Sequence, residues 1–294
     1  MKKLIIFLCF IFTISAFPFL ASASTTCATK YPIVLSHGMG YTDSGMLGIG
    51  YWYNIPSKLT SNGAQVFQSN QTAMASTADR AAQLKTYVQQ VLATTGAAKV
   101  NIIGHSQGGL DARYMISNLG MAPYVASLTT VNSPNRGSSV ADVLLGLDSD
   151  VGGWISGLVN EIYLWMFGGE QNSKAAAQWL SVNFMTNTFN PETPNISGVY
   201  YQSWSSTMNF PPILDKVLFS VSWAILEWYE GSNDGLVSTW SAPWGTYRGN
   251  QGGSIFGGGV SHVNTCDQFL DVTPFFDAPG FYVSIVSDLK GKGY

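Results

Sequence analysis

Val100-Asn101-Ile102-Ile103-Gly104-His105-Ser106-Gln107-Gly108-Gly109-Leu110 is the stretch from which the architecture is read. Val100 to Ile103 is a short apolar run suited to a buried strand, and Leu110 to Ile116 reads as a helix. Between them lies Gly104-His105-Ser106-Gln107-Gly108, a GxSxG sequence. With 31 glycines in 294 residues, such a pentapeptide is weak by itself. Its setting gives it weight. A sharp strand-to-helix turn that exposes a serine hydroxyl needs glycine at both flanks, where a Cβ would crowd the adjoining strand and helix. Ser106 is therefore expected at the tip of a nucleophile elbow.

The same alternation continues on both sides. Tyr31 to Leu35 is an apolar run ended by Ser36-His37-Gly38, a strand entering a glycine-bearing loop. Ser76 or Thr77 is set to cap a helix with Asp79 in its first turn. Leu84, Val88, Val91 and Leu92 follow at helical spacing until Gly96 stops it. Ala126 to Val131 reads as a further strand. Strands alternating with helices imply a mostly parallel sheet, helices on both faces, right-handed crossovers and a site at the C-terminal strand ends. Two aromatic-rich stretches without strand character, Val140 to Trp179 and Phe210 to Trp228, read as a helical cap inserted around 140–185 and 210–230. The Gly-rich 249–259 reads as a flexible loop.

Composition narrows the partners. Charged residues are 11% of the chain and the net charge is −3, which supports neither nucleic-acid binding nor disorder. Residues 1–23 carry Lys2-Lys3, an apolar run from Leu4 to Leu20 and Ala21-Ser22-Ala23, the pattern of a signal peptide. Its removal leaves 24–294 as a single domain, secreted to an extracellular or periplasmic space. Cys9 goes with the leader, so Cys27 and Cys266 remain in an oxidising compartment as candidates for a disulfide, with two free buried thiols as the alternative.

A serine hydroxyl needs a base to take its proton. The chain has three histidines. His105 precedes Ser106 directly and should point elsewhere, and His37 lies before the serine, out of the order serine, acid, histidine that such elbows use. His262 remains. The acid must fall between Ser106 and His262 and orient the imidazole. Asp111, Asp142, Asp148, Asp150, Asp215, Glu161, Glu170, Glu192, Glu227 and Glu230 all qualify by position. Asp234 fits best, because Ser232-Asn233-Asp234-Gly235 is a turn able to present a carboxylate from a loop. An oxyanion would take one N–H from the residue after the nucleophile, Gln107, and one from the loop after the first strand, Met39 between Gly38 and Gly40.

With these residues assembled, the chain resembles the secreted bacterial triacylglycerol lipases of the Pseudomonas, Burkholderia and Proteus type, which have the α/β-hydrolase fold. The resemblance runs discontinuously from Tyr31 to Phe276. It is carried by Gly104-His105-Ser106-Gln107-Gly108-Gly109, Ser36-His37-Gly38-Met39, Ser133-Pro134-Asn135-Arg136-Gly137-Ser138 with Val140-Ala141-Asp142, and Asn233-Asp234-Gly235-Leu236-Val237. It implies hydrolysis of lipid esters at a lipid–water interface, a lid formed by the cap, and Asp234 as the acid. It also implies a structural calcium ion near the histidine, though none for the chemistry itself. Asp215 stands at the first ligand position, Asn264 replaces the second aspartate, and Gln268 and Val272 would supply carbonyl oxygens. Some members of the family need a secretion foldase; otherwise a monomer is expected. An esterase, phospholipase or polyester depolymerase would use the same triad, and a non-catalytic exported binding protein of this fold is the alternative from another class.

Overall fold

The computed structural model describes residues 24–40, 50–147, 173–209, 216–252, 258–268 and 273–294. The expected leader 1–23, Asp215, Val272 and the stretch 148–172 of the expected cap lie outside them. Six strands form one sheet: β1 (Ile33–Ser36), β2 (Val66–Gln68), β3 (Val100–His105), β4 (Val125–Val131), β5 (Tyr200–Ser206) and β6 (Thr246–Gln251). Their spatial order is β2-β1-β3-β4-β5-β6, and every neighbouring pair is parallel.

Period-2 alternation explains why helices cover both faces. Ile33 and Leu35 of β1 pack with Ile55 and Leu59 of α1 (Ile55–Ser61) and with Tyr282, Ile285 and Leu289 of α8 (Ala278–Gly291). Val34 between them packs on the other face with Leu84 and Val88 of α2 (Thr77–Thr95) and with Ala112 and Met115 of α3 (Gln107–Asn118). β3 repeats the split, Ile103 on the first face and Ile102 on the second. Each such aliphatic side chain, fully buried, stabilises the fold by about 1.5–3 kcal/mol.

The helix signals read from sequence hold in α2. Ser76 accepts the Asp79 N–H at 3.1 Å, and Gly96 ends the helix in the left-handed region at φ +67. α3 begins three residues before Leu110, because its first turn contains Gly108 and Gly109, which carry no side chain from which a helical period could be read. β6 is a correction. Residues 246–251 form the edge strand beside β5, so the Gly-rich stretch is ordered at its start. Its exposed Thr-Tyr-Arg-Gly-Asn-Gln sequence shows no apolar run, and the pairing with β5 supplies the order.

In and beside the stretches read as a cap, the described residues form α4 (Ser139–Leu144), α5 (Ser173–Leu180), a helical run 182–192 with a π turn at Met185–Phe189 (α6), and α7 (Lys216–Tyr229). Val140 and Val143 pack against Ile225 and Leu226. Phe219 of α7 packs with Leu236, Val237 and Val263, on the loops that carry Asp234 and His262. Among the described residues no helix is long and apolar enough to cross a membrane.

The expected Cys27–Cys266 bridge is not formed. Both are free, buried thiols. Cys27 Sγ is directed at the Val283 carbonyl at 3.8 Å and Cys266 Sγ at the Val263 carbonyl at 3.4 Å, so each thiol has its own acceptor within an apolar cluster. Burial pushes the Cys266 thiol up beyond the range in which a thiolate forms.

Candidate active site

Ser106 sits between the end of β3 and the start of α3 with φ +54 and ψ −132, a conformation that a side-chain-bearing residue adopts only under constraint. Its N–H donates to the Val131 carbonyl at 3.0 Å, which pins the turn to β4. The flanking glycines are sterically required. A methyl at Gly104 would lie 2.6 Å from Gly109 Cα, and one at Gly108 would lie 2.5 Å from the His37 carbonyl oxygen. The Gly109 equivalent would collide with the Ser133 hydroxyl. On the open side Gly38 closes against the nucleophile, where a methyl would stand 2.7 Å from Ser106 Cβ.

Asp234 and His262 meet in a buried pair. His262 Nδ1 donates to Asp234 Oδ2 at 2.8 Å, and the His262 main-chain N–H donates to the Asp234 carbonyl at 2.9 Å. The other carboxylate oxygen, Oδ1, accepts the Leu236 N–H at 2.9 Å and the Val237 N–H at 2.7 Å. A carboxylate this fully satisfied is held as an acceptor. That fixes the proton of His262 on Nδ1 and leaves Nε2 as the basic nitrogen. Ser106 Oγ makes no hydrogen bond among the described residues. In ligand-free sites the serine–imidazole contact is often longer than in the reacting complex.

The loop after β1 is set by a network that sequence reasoning did not find. His37 Nε2 accepts the Gln71 N–H at 2.9 Å, so Nδ1 donates, to the Gly38 carbonyl at 2.7 Å. Arg80 Nη2 donates to the same carbonyl at 3.2 Å and to the His37 carbonyl at 2.6 Å. Two donors thus hold the Gly38 carbonyl inward. The trans peptide then turns the Met39 N–H the opposite way. Gln107 is the first residue of α3, whose leading amides have no intrahelical acceptor and lie at the positive end of the helix. Its side chain is turned aside to the Ala75 carbonyl at 3.0 Å.

Arg80 is itself wholly buried, its Nε donating to Asp111 Oδ2 at 2.8 Å. Burial raises Asp111 to about 7 although the Arg80 guanidinium opposes it. Burial, and the Arg80 charge beside it, hold His37 down at about 3, so it is neutral at neutral pH. One signal for Arg80 was in the sequence: it stands one helical turn before Leu84 and two before Val88, on the stripe of α2 that faces the core. A cation on such a stripe needs a buried partner.

The calcium set is not assembled by the described residues. Asp215 and Val272 lie outside them. Asn264 is buried with Oδ1 accepting the Ser261 N–H at 2.9 Å, while its own N–H donates to Ser261 Oγ at 3.3 Å. Gln268 donates its N–H to the Val263 carbonyl at 3.2 Å. Among the described residues no three His, Cys, Asp or Glu side chains gather as a metal site. The amide oxygen of Asn264 already closes a turn by accepting the Ser261 N–H, and as a neutral donor it would hold a divalent cation less strongly than an aspartate carboxylate.

The chain has recognisable relatives among known proteins. The family model described as palmitoyl protein thioesterase matches residues 32–191. The chain is similar to the triacylglycerol lipase of Vibrio cholerae, 36% identical over 236 residues that cover 72% of this chain and 74% of that protein. It is also similar to the triacylglycerol lipase of Burkholderia plantarii, 48% identical over 134 residues, 44% of this chain. That match spans only 37% of the Burkholderia protein's length. In three dimensions a mature lipase of Bacillus licheniformis superposes with a TM-score of 0.64 at 20% identity, covering 88% of this chain and 92% of that one. That likeness is one of fold.

Proposed function

We infer, from the premise that this chain belongs to the triacylglycerol lipase family of α/β-hydrolases, that it cleaves carboxylic esters of lipids through a covalent acyl-enzyme. The observation that carries this reading is the strained, glycine-walled Ser106 facing a peptide whose carbonyl is tied back by His37 and Arg80. In the proposed cycle Ser106 Oγ attacks the ester carbonyl carbon while His262 Nε2 takes its proton. The Met39 and Gln107 N–H groups receive the negative charge on the carbonyl oxygen. Asp234 stabilises the imidazolium without itself becoming protonated. The C–O bond to the alcohol then breaks, and His262 gives the alcohol its proton. Water, deprotonated by His262, attacks the acyl-serine and releases the acid, and Ser106 regains its proton. No metal or cofactor enters any step.

The test is Ser106→Ala against emulsified triacylglycerols and p-nitrophenyl esters of graded chain length. We expect kcat to fall by at least about 10³-fold with the fold retained, as loss of a triad serine does elsewhere. Hydrolysis by the variant at the wild-type rate would overturn the assignment. The thioesterase family model favours a second reading, in which a long-chain acyl thioester is cleaved by the same serine. Comparing palmitoyl-CoA with the palmitoyl ester separates the two. We further propose export through the leader 1–23 and action as a monomer at a lipid–water interface.

A further inference from the structure

The proposed cycle uses Ser106, His262 and Asp234 but gives no part to His105, an imidazole with no exposed surface whose ring centroid lies 4.6 Å from that of His262. Every polar atom of this ring is engaged. Nε2 stands 3.0 Å from the His262 carbonyl oxygen and 3.1 Å from Thr265 Oγ1. A carbonyl can only accept, so Nε2 carries the proton. Nδ1 lies 2.6 Å from the Tyr51 hydroxyl, which therefore donates to it. Thr265 Oγ1 donates to the same His262 carbonyl at 2.8 Å and accepts Asn132 Nδ2–H at 3.1 Å, from the residue that follows β4. On the far side, the Tyr51 hydroxyl lies against Gly38, where a methyl would stand 2.6 Å from it.

We propose that His105 is a positioning residue for the base: as the neutral Nε2–H tautomer it holds the main-chain carbonyl of His262, and through Tyr51 it ties that carbonyl to the oxyanion loop. This rests on the reading of His262 as base. The His262 backbone is then held at both ends, its N–H by the Asp234 carbonyl and its carbonyl by His105. Only the imidazole side chain is left to move toward Ser106. Neutrality matters as well as geometry, because a charged His105 would repel the imidazolium that forms during the reaction. Burial and the neighbouring His262 both hold His105 well below the usual histidine range. His105 itself has no exposed surface with which to touch substrate, so its loss acts on kcat.

Two substitutions separate this role from mere filling of space. A glutamine amide reaches about as far as the imidazole Nε2, whereas an asparagine amide reaches only the Nδ1 position. His105→Gln, which keeps a donor to the His262 carbonyl and gives up only the acceptor for Tyr51, should retain kcat within about threefold. His105→Asn should lower kcat about thirtyfold with KM unchanged. Equal losses in the two variants, or a loss carried by KM, would overturn the proposal. A measurement on the unsubstituted protein needs no variant to fold: in imidazole ¹⁵N spectra His105 should show a protonated Nε2 and an unprotonated, hydrogen-bond-accepting Nδ1 throughout pH 6 to 8. An Nδ1–H tautomer would equally refute it. The tautomer is read without substrate, whereas retention of activity by His262→Ala would instead sink the assignment of the base.

Discussion

At the scale of single residues, the site depends on buried polar groups with few alternatives open to them. His37 accepts a proton-bearing amide on Nε2 and donates from Nδ1, so protonating it would set two N–H groups against each other at the Gln71 amide. Its folded-state value, about 3, lies below the ordinary 6.5. The folded state then binds fewer protons than the unfolded one between these limits, so the stability His37 contributes is present above pH 6.5 and lost as the pH falls toward 3. We expect the denaturation midpoint of His37→Gln to fall less steeply than that of wild type over this window. Parallel slopes in the two proteins would show that His37 is not the group responsible. Arg80 offers a second test. Arg80→Lys keeps the charge beside Asp111 but cannot reach Asp111, Thr72 and the Gly38 carbonyl together, as the guanidinium does. Steady-state kinetics should show kcat reduced roughly tenfold to a hundredfold, the cost of a misplaced oxyanion donor, with KM little altered.

At the scale of elements, identical residue types have opposite importance depending on what surrounds them. Gly96 ends α2 at φ +67 with open space around the position a Cβ would take, so Gly96→Ala meets only the backbone penalty. It should cost about 1 kcal/mol in chemical denaturation and leave kcat/KM unchanged. Gly108, one turn into the elbow, has main-chain carbonyls of Ser36 and His37 where its Cβ would go, and neither can yield without moving β1. Gly108→Ala should therefore fail to give active, folded protein. The two ends of α2 and the existence of β1, β3 and β4 were legible because cap residues and apolar runs follow local rules. β5 and β6 were not. The Tyr-Tyr-Gln-Ser-Trp-Ser-Ser of β5 buries polar side chains that are satisfied by neighbours far away in sequence, as Gln202 is by Thr129 at 2.9 Å. Local periodicity carries no trace of such partners.

At the scale of the whole molecule, stability comes from two apolar layers on either side of a parallel sheet, and no covalent link between the chain ends is needed. On the chain-entropy relation a disulfide closing the loop from Cys27 to Cys266 would be worth about 5.5 kcal/mol. With both thiols free, the melting temperature should be the same with and without dithiothreitol, and a thiol reagent should reach Cys27 and Cys266 only after unfolding. A reductant-dependent loss of several degrees would show that the bridge forms after all. The sequence by itself determined the strand–turn–helix around Ser106 and the alternation that makes the sheet parallel, and it singled out His262 among three histidines and Asp234 among eleven carboxylates as the expected base and acid. These follow from short-range sterics, from periodicity and from the small number of histidines. Only the tertiary structure decided that Cys27 and Cys266 remain free thiols and that Arg80, His37, Tyr51 and His105 brace the loops around the serine. Those outcomes depend on which buried donor finds which acceptor across tens of residues, a matter of three-dimensional distance that no local pattern encodes.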